Sequence, residues 1–228
     1  MTGTQKMLTA VAAVAAIGFA AAADAAPWSN PSGSTANFSY SGGLSDNGLF
    51  GDPIVTDDGF TFTPANFIAT SVGGTPAAVS DRTKVVITAN PGEEIDKIVL
   101  RELGDYSILG MGGIQVGGAL FVSYDGGPLA GIAAETEFDP DMPVINNDPN
   151  AGLSGVFEGM AMIDVPEGVS EVVVVFNNSL LAVSSESGAS TVQKKTAGAG
   201  VEIDVIVPEP TSLALLGLAG PLLMRRRR

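Results

Sequence analysis

The sequence predicts an all-β protein, an antiparallel β-sandwich of jelly-roll-like type, with helices only at the two ends of the chain. Apolar and polar residues alternate with a period of two in many short segments, and helical periodicity is almost absent between the ends. The stretch 200–207 is the clearest example. It reads G-V-E-I-D-V-I-V, which places its apolar residues on one face and its two carboxylates on the other.

Nine further segments show the same kind of pattern and are predicted as strands. In chain order they are 36–40, 59–63, 66–71, 83–89, 95–103, 114–124, 155–165, 171–177 and 180–184. Turn signals rich in Gly, Pro and Asp separate them at 57–59, 90–92, 125–127 and 166–168. We expect the apolar residues of these segments to fill the interior of the sandwich.

Composition restricts the chemistry that is open to this chain. Its 228 residues include no His and no Cys, which excludes Ser-His-Asp triads, thiolate nucleophiles, disulfides and the nitrogen and sulfur ligands that zinc prefers. The 25 acidic residues outnumber the 11 basic ones, and the formal net charge is −14. Because binding to phosphates needs Lys and Arg, no nucleic-acid partner is expected.

The first 26 residues have the three parts of a secretory signal peptide. Lys6 provides a positive flank, and the segment 7–23 is apolar and rich in Ala. The tripeptide Ala23-Asp24-Ala25 offers the small residues that signal peptidase requires. We therefore expect the chain to be exported and cleaved near this tripeptide.

The segment 208–228 combines three features in a fixed order. The tripeptide Pro208-Glu209-Pro210 precedes an apolar stretch at 211–224. Four arginines then end the chain: Arg225, Arg226, Arg227 and Arg228. The prolines hold the tripeptide extended, and the arginines favour the cytoplasmic side of a membrane. This arrangement resembles the PEP-CTERM sorting signal of Gram-negative bacteria, which an exosortase recognises.

The resemblance implies export, transient retention in the inner membrane, cleavage by the exosortase near the tripeptide, and display at the cell surface or release from the cell. The apolar stretch would span about 21 Å as a transmembrane helix, less than the roughly 30 Å of a hydrocarbon core, so retention is expected to be transient. The chain thus divides into a signal peptide at 1–26, a β-sandwich ectodomain at 27–207 and a sorting signal at 208–228. The ectodomain also resembles the β-rich domains that commonly precede this signal, through the segments 60–64 and 102–106.

An acidic loop provides the candidate metal site. Asn146, Asp148 and Asn150 fit the first, third and fifth positions of an EF-hand calcium loop, but the required glycine and the final ligand Glu158 each come one position late. Two hypotheses remain. One is a Ca²⁺ site of another type, formed by Asp139, Asp141, Asn146 and Asp148. The other is a solvated turn in which these side chains bond to their own backbone. No other cofactor is expected.

Aromatic platforms for binding a polysaccharide are scarce. Trp28 is the single tryptophan, and Tyr40, Tyr106 and Tyr124 are the only tyrosines. Tyr106 and Tyr124 each neighbour an aspartate in the sequence, which suggests a side chain that stacks on a sugar ring beside a hydrogen-bonding carboxylate. The alternative, which we favour, is that each tyrosine covers a sheet edge with its hydroxyl in water.

Enzyme activity is not expected. A glycan hydrolase needs two carboxylates about 5–9.5 Å apart, and nothing in the sequence brings such a pair together. The candidate carboxylates are Asp57, Asp58, Glu102, Asp105 and Glu158. A Ser-Lys dyad is equally unsupported, because Lys194 and Lys195 lie in a polar stretch that is expected to be solvated.

The sequence therefore predicts a secreted protein of structural or adhesive type, located at the cell surface or in the extracellular matrix and sorted by an exosortase. A polysaccharide-binding module is the alternative, and a carboxylate-based glycan hydrolase is the third hypothesis. The expected partners are signal peptidase, the exosortase, the inner membrane during sorting and, for the alternative, an extracellular polysaccharide.

Overall fold

The computed structural model describes residues 25–124, 131–195 and 200–208, which form sixteen β-strands and no helix. The strands are β1 (Ala26–Pro27), β2 (Gly33–Ser34), β3 (Phe38–Ser45), β4 (Ile54–Thr56), β5 (Gly59–Phe62), β6 (Ile68–Val72), β7 (Ala77–Ala89), β8 (Lys97–Leu109), β9 (Gly112–Ser123), β10 (Ile132–Glu135), β11 (Glu137–Asp139), β12 (Val144–Asn146), β13 (Gly152–Asp164), β14 (Glu171–Ser184), β15 (Ala189–Lys194) and β16 (Val201–Ile206).

The strands form two eight-stranded sheets in which every pairing is antiparallel. In sheet A the order is β1-β3-β7-β14-β9-β10, with β2 paired to β3 and β12 paired to β9. In sheet B the order is β11-β13-β8-β16-β5-β4, with β15 paired to β8 and to β6. The prediction of an all-β protein with two antiparallel sheets in a sandwich-like arrangement is confirmed. The jelly-roll-like topology stays a prediction.

The interior between the sheets is apolar and strongly aromatic. Trp28 is 3% exposed, and its ring centroid lies 5.6 Å from that of Phe60 and 5.7 Å from that of Phe62. The backbone of β3 approaches this indole closely, because a Cβ atom on Gly43 would lie 2.1 Å from the Trp28 ring. A glycine at this position therefore allows the tryptophan to pack into the core.

All ten segments predicted as strands overlap observed strands, but several boundaries differ by a few residues and one predicted break between strands is wrong. The segments 171–177 and 180–184 belong to the single strand β14. Asn178, at the expected break, continues the ladder by pairing with Asp81 of β7 and Gly118 of β9. Its polar side chain points into the sandwich, where it finds a carboxylate partner. The strand therefore continues through a residue type that usually favours turns.

Three of the predicted turns connect strands as expected. Gly92 and Gly168 adopt φ angles of 87° and 84°, which only glycine adopts at low cost. The third turn leads into β5 at Gly59. The turn predicted at 125–127 lies outside the described residues.

The helices predicted at the two chain ends also lie outside the described residues. Across residues 25–124, 131–195 and 200–208, no helix is long and apolar enough to cross a membrane.

Candidate functional site

A groove of about 630 Å³ opens on the outer face of sheet B, where β11, β13, β8 and β16 run side by side. Exposed side chains on these strands alternate with buried ones that enter the core. The residues that line the groove are Arg101, Glu102, Leu103, Glu137, Phe138, Asp139, Glu158, Gly159, Met160 and Glu202.

The strand register aligns the groove side chains in two rows. In the first row, Met160 of β13 pairs with Glu137 of β11 on one side and with Arg101 of β8 on the other. Arg101 pairs in turn with Glu202 of β16, so this row crosses four strands. The groove is therefore built on hydrogen-bonded strands, which hold its side chains in fixed positions.

In the second row, Glu158 of β13 pairs with Asp139 of β11 and with Leu103 of β8. Both carboxylates are exposed. Two like charges directly opposite each other on one face of a sheet destabilise the pairing. The repulsion between Asp139 and Glu158 therefore destabilises this row. A ligand that donates hydrogen bonds to the two carboxylates would offset the repulsion.

The groove has an acidic character. Apart from Glu102, whose side chain is buried, it is lined by a single basic side chain and by four carboxylates: Glu137, Asp139, Glu158 and Glu202. That basic side chain is Arg101, whose Nε donates a 3.0 Å hydrogen bond to Asp204 Oδ2. An anionic ligand is therefore repelled, whereas hydroxyl and amino groups find many acceptors.

Apolar surface lies beside these carboxylates. Met160 is 48% exposed within the groove, and the half-buried Leu103 also lines it. Met162 follows on the same face of β13 and is 49% exposed. A mixed wall of this kind suits a ligand that has both hydroxyl groups and apolar C–H faces.

A buried polar cluster lies on the other face of β8, directly behind the groove. Glu102 is fully buried and accepts hydrogen bonds from three side chains. Asn178 Nδ2 donates to its Oε1 at 3.0 Å, Thr136 Oγ1 donates to Oε1 at 3.3 Å, and Lys194 Nζ donates to Oε2. The cluster draws on both sheets, because Asn178 lies on β14 and Lys194 on β15.

Two glycines make room for this cluster. A Cβ atom on Gly118 would lie 2.6 Å from Glu102 Oε1, and a Cβ atom on Gly104 would lie 2.1 Å from the ring of Phe157. Phe157 and Phe138 flank the ammonium group of Lys194, with ring centroids 5.3 Å and 5.8 Å from Nζ. The polar groups are therefore enclosed by aromatic side chains rather than by water.

The electrostatics of the cluster follow from its burial. Burial lowers the pKa of Lys194 from its ordinary value, and the charge and hydrogen bond of Glu102 offset part of this effect. The Oδ1 atom of Asn178 is buried and has no hydrogen-bond partner. The cluster thus contains an amine, a carboxylate and an incompletely bonded amide, all of them buried.

The prediction that Lys194 is solvated is wrong, because this residue is 1% exposed. β15 reads A-S-T-V-Q-K, and its alternation places Ser190, Val192 and Lys194 on the face that enters the core. The polar composition of the segment concealed this period of two. The burial of Asn178 was also not predicted from the sequence. The apolar segments on both sides of this residue were the available signal.

The tyrosines do not form the exposed platform considered for carbohydrate. Tyr106 is 9% exposed and belongs to the core, so both the stacking hypothesis and the sheet-edge alternative are wrong for this residue. Its neighbour Asp105 faces the opposite side of β8, because successive side chains of a strand alternate. Tyr124 is partly buried and packs against the core.

The acidic loop does not gather the residues proposed for calcium. Asn146 Nδ2 donates to the carbonyl oxygens of Gly110 and Ala151 at 2.9 Å and 3.0 Å, and its Oδ1 accepts the N–H of Asp148 at 3.1 Å. Within the three ranges that the structure describes, no group of three or more acidic side chains could hold a metal ion. Asn146 and Asp148 follow the turn hypothesis, and Asp139 instead lines the groove.

The sorting residues are largely beyond the described residues. Pro208 is the last residue of the third described range, whereas Glu209, Pro210 and the four arginines Arg225 to Arg228 lie outside it. The sorting signal thus stays a prediction from the sequence.

Comparisons with known proteins give no family assignment. No family model matches the chain, and no curated protein matches it. Among solved structures, TmCBM61 in complex with beta-1,4-galactotriose is 9% identical over 77% of this chain and 94% of that chain, with a TM-score of 0.20.

Two other solved structures give similar values. The enzymatically active domain of bacteriophage CBA120 tailspike protein 4 is 15% identical over 75% of this chain and 20% of that chain, with a TM-score of 0.18. The CBM22-1-CBM22-2 tandem domain from Paenibacillus barcinonensis Xyn10C is 12% identical over 63% of this chain and 47% of that chain, with a TM-score of 0.21. At these scores the likeness supports no argument about function, which has to come from the groove itself.

Proposed function

We propose that this chain is an extracellular adhesive domain that binds a polysaccharide in the groove on the outer face of sheet B. The observation that carries the proposal is the mixed wall of the groove, in which four carboxylates and the exposed side chain of Met160 lie together on four paired strands. The proposal joins the adhesive role expected from the sequence to the polysaccharide-binding alternative.

The residue types of the groove match the chemistry of a sugar chain. The carboxylates of Glu158 and Glu202 accept hydrogen bonds from hydroxyl groups, and charged acceptors form stronger hydrogen bonds than neutral ones. Met160 offers a flexible apolar surface to the C–H face of a sugar ring.

The charge of the groove determines which polymers it accepts. Four carboxylates and one paired arginine repel the uronate groups of acidic polysaccharides. Neutral polymers and polymers that carry free amino groups escape this repulsion, and amino groups gain charge-assisted hydrogen bonds as well. The expected order of affinity is therefore amino-bearing, then neutral, then uronate-bearing polysaccharide.

Export and surface sorting are part of the same proposal and are supported by the sequence alone. β16 ends at Ile206, two residues before the tripeptide Pro208-Glu209-Pro210, and Pro208 is exposed. A protease that acts near the tripeptide would therefore cut outside the last strand of the sandwich. The domain would reach the cell surface intact, where an adhesive role requires it.

The test is a binding comparison with the purified full-length chain. Amino-bearing, neutral and uronate-bearing polysaccharides are titrated against the wild type and against the groove variants Glu158→Gln and Glu202→Gln. Each groove variant should weaken binding about tenfold, or ~1.4 kcal/mol. Glu135→Gln removes an exposed carboxylate from β10 of sheet A and is the matched control, expected to bind as the wild type does.

Two outcomes contradict the proposal. Absence of binding to all three polymer classes removes the adhesive function from the groove. Equal affinities in the wild type and in both groove variants place the binding site elsewhere. Release of new reducing ends during the titration would instead support the glycan-hydrolase hypothesis, with Asp139 and Glu158 as the nearest carboxylate pair in the register.

A further inference from the structure

The buried cluster behind the groove brings an amine and a carboxamide to the same carboxylate. Lys194 Nζ donates to Glu102 Oε2, and Asn178 Nδ2 donates to Glu102 Oε1 at 3.0 Å. Each residue is at most 3% exposed. The nucleophile, the electrophile and a proton-transfer group are therefore adjacent and shielded from water, which is the arrangement that an intramolecular condensation needs.

We propose that Lys194 and Asn178 become joined by an intramolecular isopeptide bond, with Glu102 as the acid–base group that forms it. The inference does not depend on the groove or its ligand. It assigns a covalent modification to residues that the adhesive function leaves unused.

The reaction balances without any added reagent. A proton passes from Lys194 Nζ to Glu102 Oε2, and the neutral amine attacks Cγ of Asn178. The carboxamide carbon becomes tetrahedral, and the Glu102 acid protonates Nδ2, which already lies within hydrogen-bond distance of Oε1. The Cγ–Nδ2 bond then breaks and ammonia leaves, while the second proton lost from Nζ returns to the carboxylate. The products are one secondary amide and one ammonia.

Two features of the site favour this step. Burial among Phe138 and Phe157 favours the uncharged amine, which is the nucleophilic form. The reaction replaces a buried ion pair with a neutral amide, so the cost of keeping two charges out of water is removed.

The bond would join the two sheets. Asn178 belongs to β14 in the centre of sheet A, and Lys194 belongs to β15 of sheet B. The chain has no cysteine and so no disulfide. Secreted domains are commonly cross-linked by disulfides. A covalent link through the core would give this β-sandwich a cross-link of comparable effect.

The test is peptide mapping of the full-length wild-type chain after denaturation. Cleavage after Glu171, Glu186 and Glu202 places Asn178 in the peptide 172–186 and Lys194 in the peptide 187–202. The proposal predicts one branched species whose mass is the sum of the two peptides minus one ammonia, about 17 Da. Tandem mass spectrometry should locate the branch at the Lys194 side chain.

Variants separate the proposed roles. Glu102→Gln keeps the shape of the side chain but cannot accept the proton, so the two peptides should appear separately and with unchanged mass. Asn178→Ala removes the electrophile and should give the same result. Asn177→Ala is the matched control, because this neighbour points to the opposite face of β14, and the branched peptide should persist.

Several results would overturn the inference, and each can be read from the wild type alone. Separate peptides of unmodified mass exclude the bond. Loss of ammonia from an unlinked 172–186 peptide indicates cyclisation of Asn178 onto its own backbone instead. A branch between Lys194 and Glu102 with loss of water, about 18 Da, would show that Lys194 is joined to Glu102 and not to Asn178.

Discussion

Asp139 and Glu158 lie directly opposite each other on β11 and β13, with both carboxylates on the exposed face that forms the groove. Sheet edges usually avoid such like-charge pairs because the repulsion weakens strand pairing. The pair is therefore a feature that lowers the stability of the free protein and that a hydrogen-bond donor in the groove would relieve.

Replacement of one member of this pair should affect stability and binding in opposite directions. Glu158→Gln removes the repulsion and should raise the free energy of unfolding by about 0.5 kcal/mol at low salt, with a smaller gain at high salt. Urea denaturation at two ionic strengths measures this difference. A lower free energy of unfolding in the variant than in the wild type would show that Asp139 and Glu158 do not destabilise the sheet.

A second carboxylate has a structural role. Asp81 is 2% exposed and accepts hydrogen bonds from Ser45 Oγ at 2.6 Å and from the backbone N–H groups of Asn47 and Leu49 at 2.8 Å and 2.7 Å. Asp81→Ala leaves one buried and two partly buried donors without this partner, so the free energy of unfolding should fall by about 3 kcal/mol. Asp58→Ala, at an exposed carboxylate, is the control and should change stability by less than about 0.5 kcal/mol.

Asp52 should contribute to the loss of stability at low pH. Hydrogen bonds from the Ser29 hydroxyl and from its backbone N–H hold the pKa of this exposed carboxyl below 3.8. Because the folded-state pKa is the lower one, these bonds contribute stability above pH 3.8, and the contribution is lost as the pH falls through the folded-state pKa. Carbon-detected NMR titration should show the depressed pKa, and Ser29→Ala should move it toward 3.8.

The sorting signal gives a prediction that can be tested in cells. Replacing Pro208, Glu209 and Pro210 by Ala should leave export intact, because the predicted signal peptide at 1–26 is unchanged, yet leave uncut protein in the inner membrane. Membrane fractionation followed by mass spectrometry of the C-terminal peptide measures this. Recovery of wild-type extracellular protein that still ends in Arg228 would show that no cleavage takes place.

Much of the fold was predictable because most strands keep a strict period of two. β16 and the segments 114–116 and 120–122 of β9 show it in the sequence, since their inward positions are filled by Val, Ile and Leu. The strands that were missed are short edge strands such as β4 and β11, or are polar like β15. Their pairing depends on neighbours that are distant in sequence, which a local pattern does not report.

The candidate site was much less predictable. Arg101, Met160 and Glu202 come from three strands and are aligned only by cross-strand register, so no local motif marks the groove. Lys194 and Asn178 carry polar side chains that suggest a solvated stretch and a turn, and the buried carboxylate of Glu102 reverses both expectations. A buried polar network of this kind is visible only once the two sheets are in contact.

The most direct test of the central claim is a residue-by-residue map of ligand contact on the full-length chain. Amide chemical shifts of the isotope-labelled protein are followed as oligosaccharides of the best-bound polymer are added. If the polymer binds in the groove, the shift changes should concentrate on β8, β11, β13 and β16, at Arg101, Glu158, Met160 and Glu202. The amide shifts around Phe121, on the outer face of sheet A, should stay constant. Changes concentrated around Phe121, with the groove amides unmoved, would contradict the assignment of the groove as the binding site.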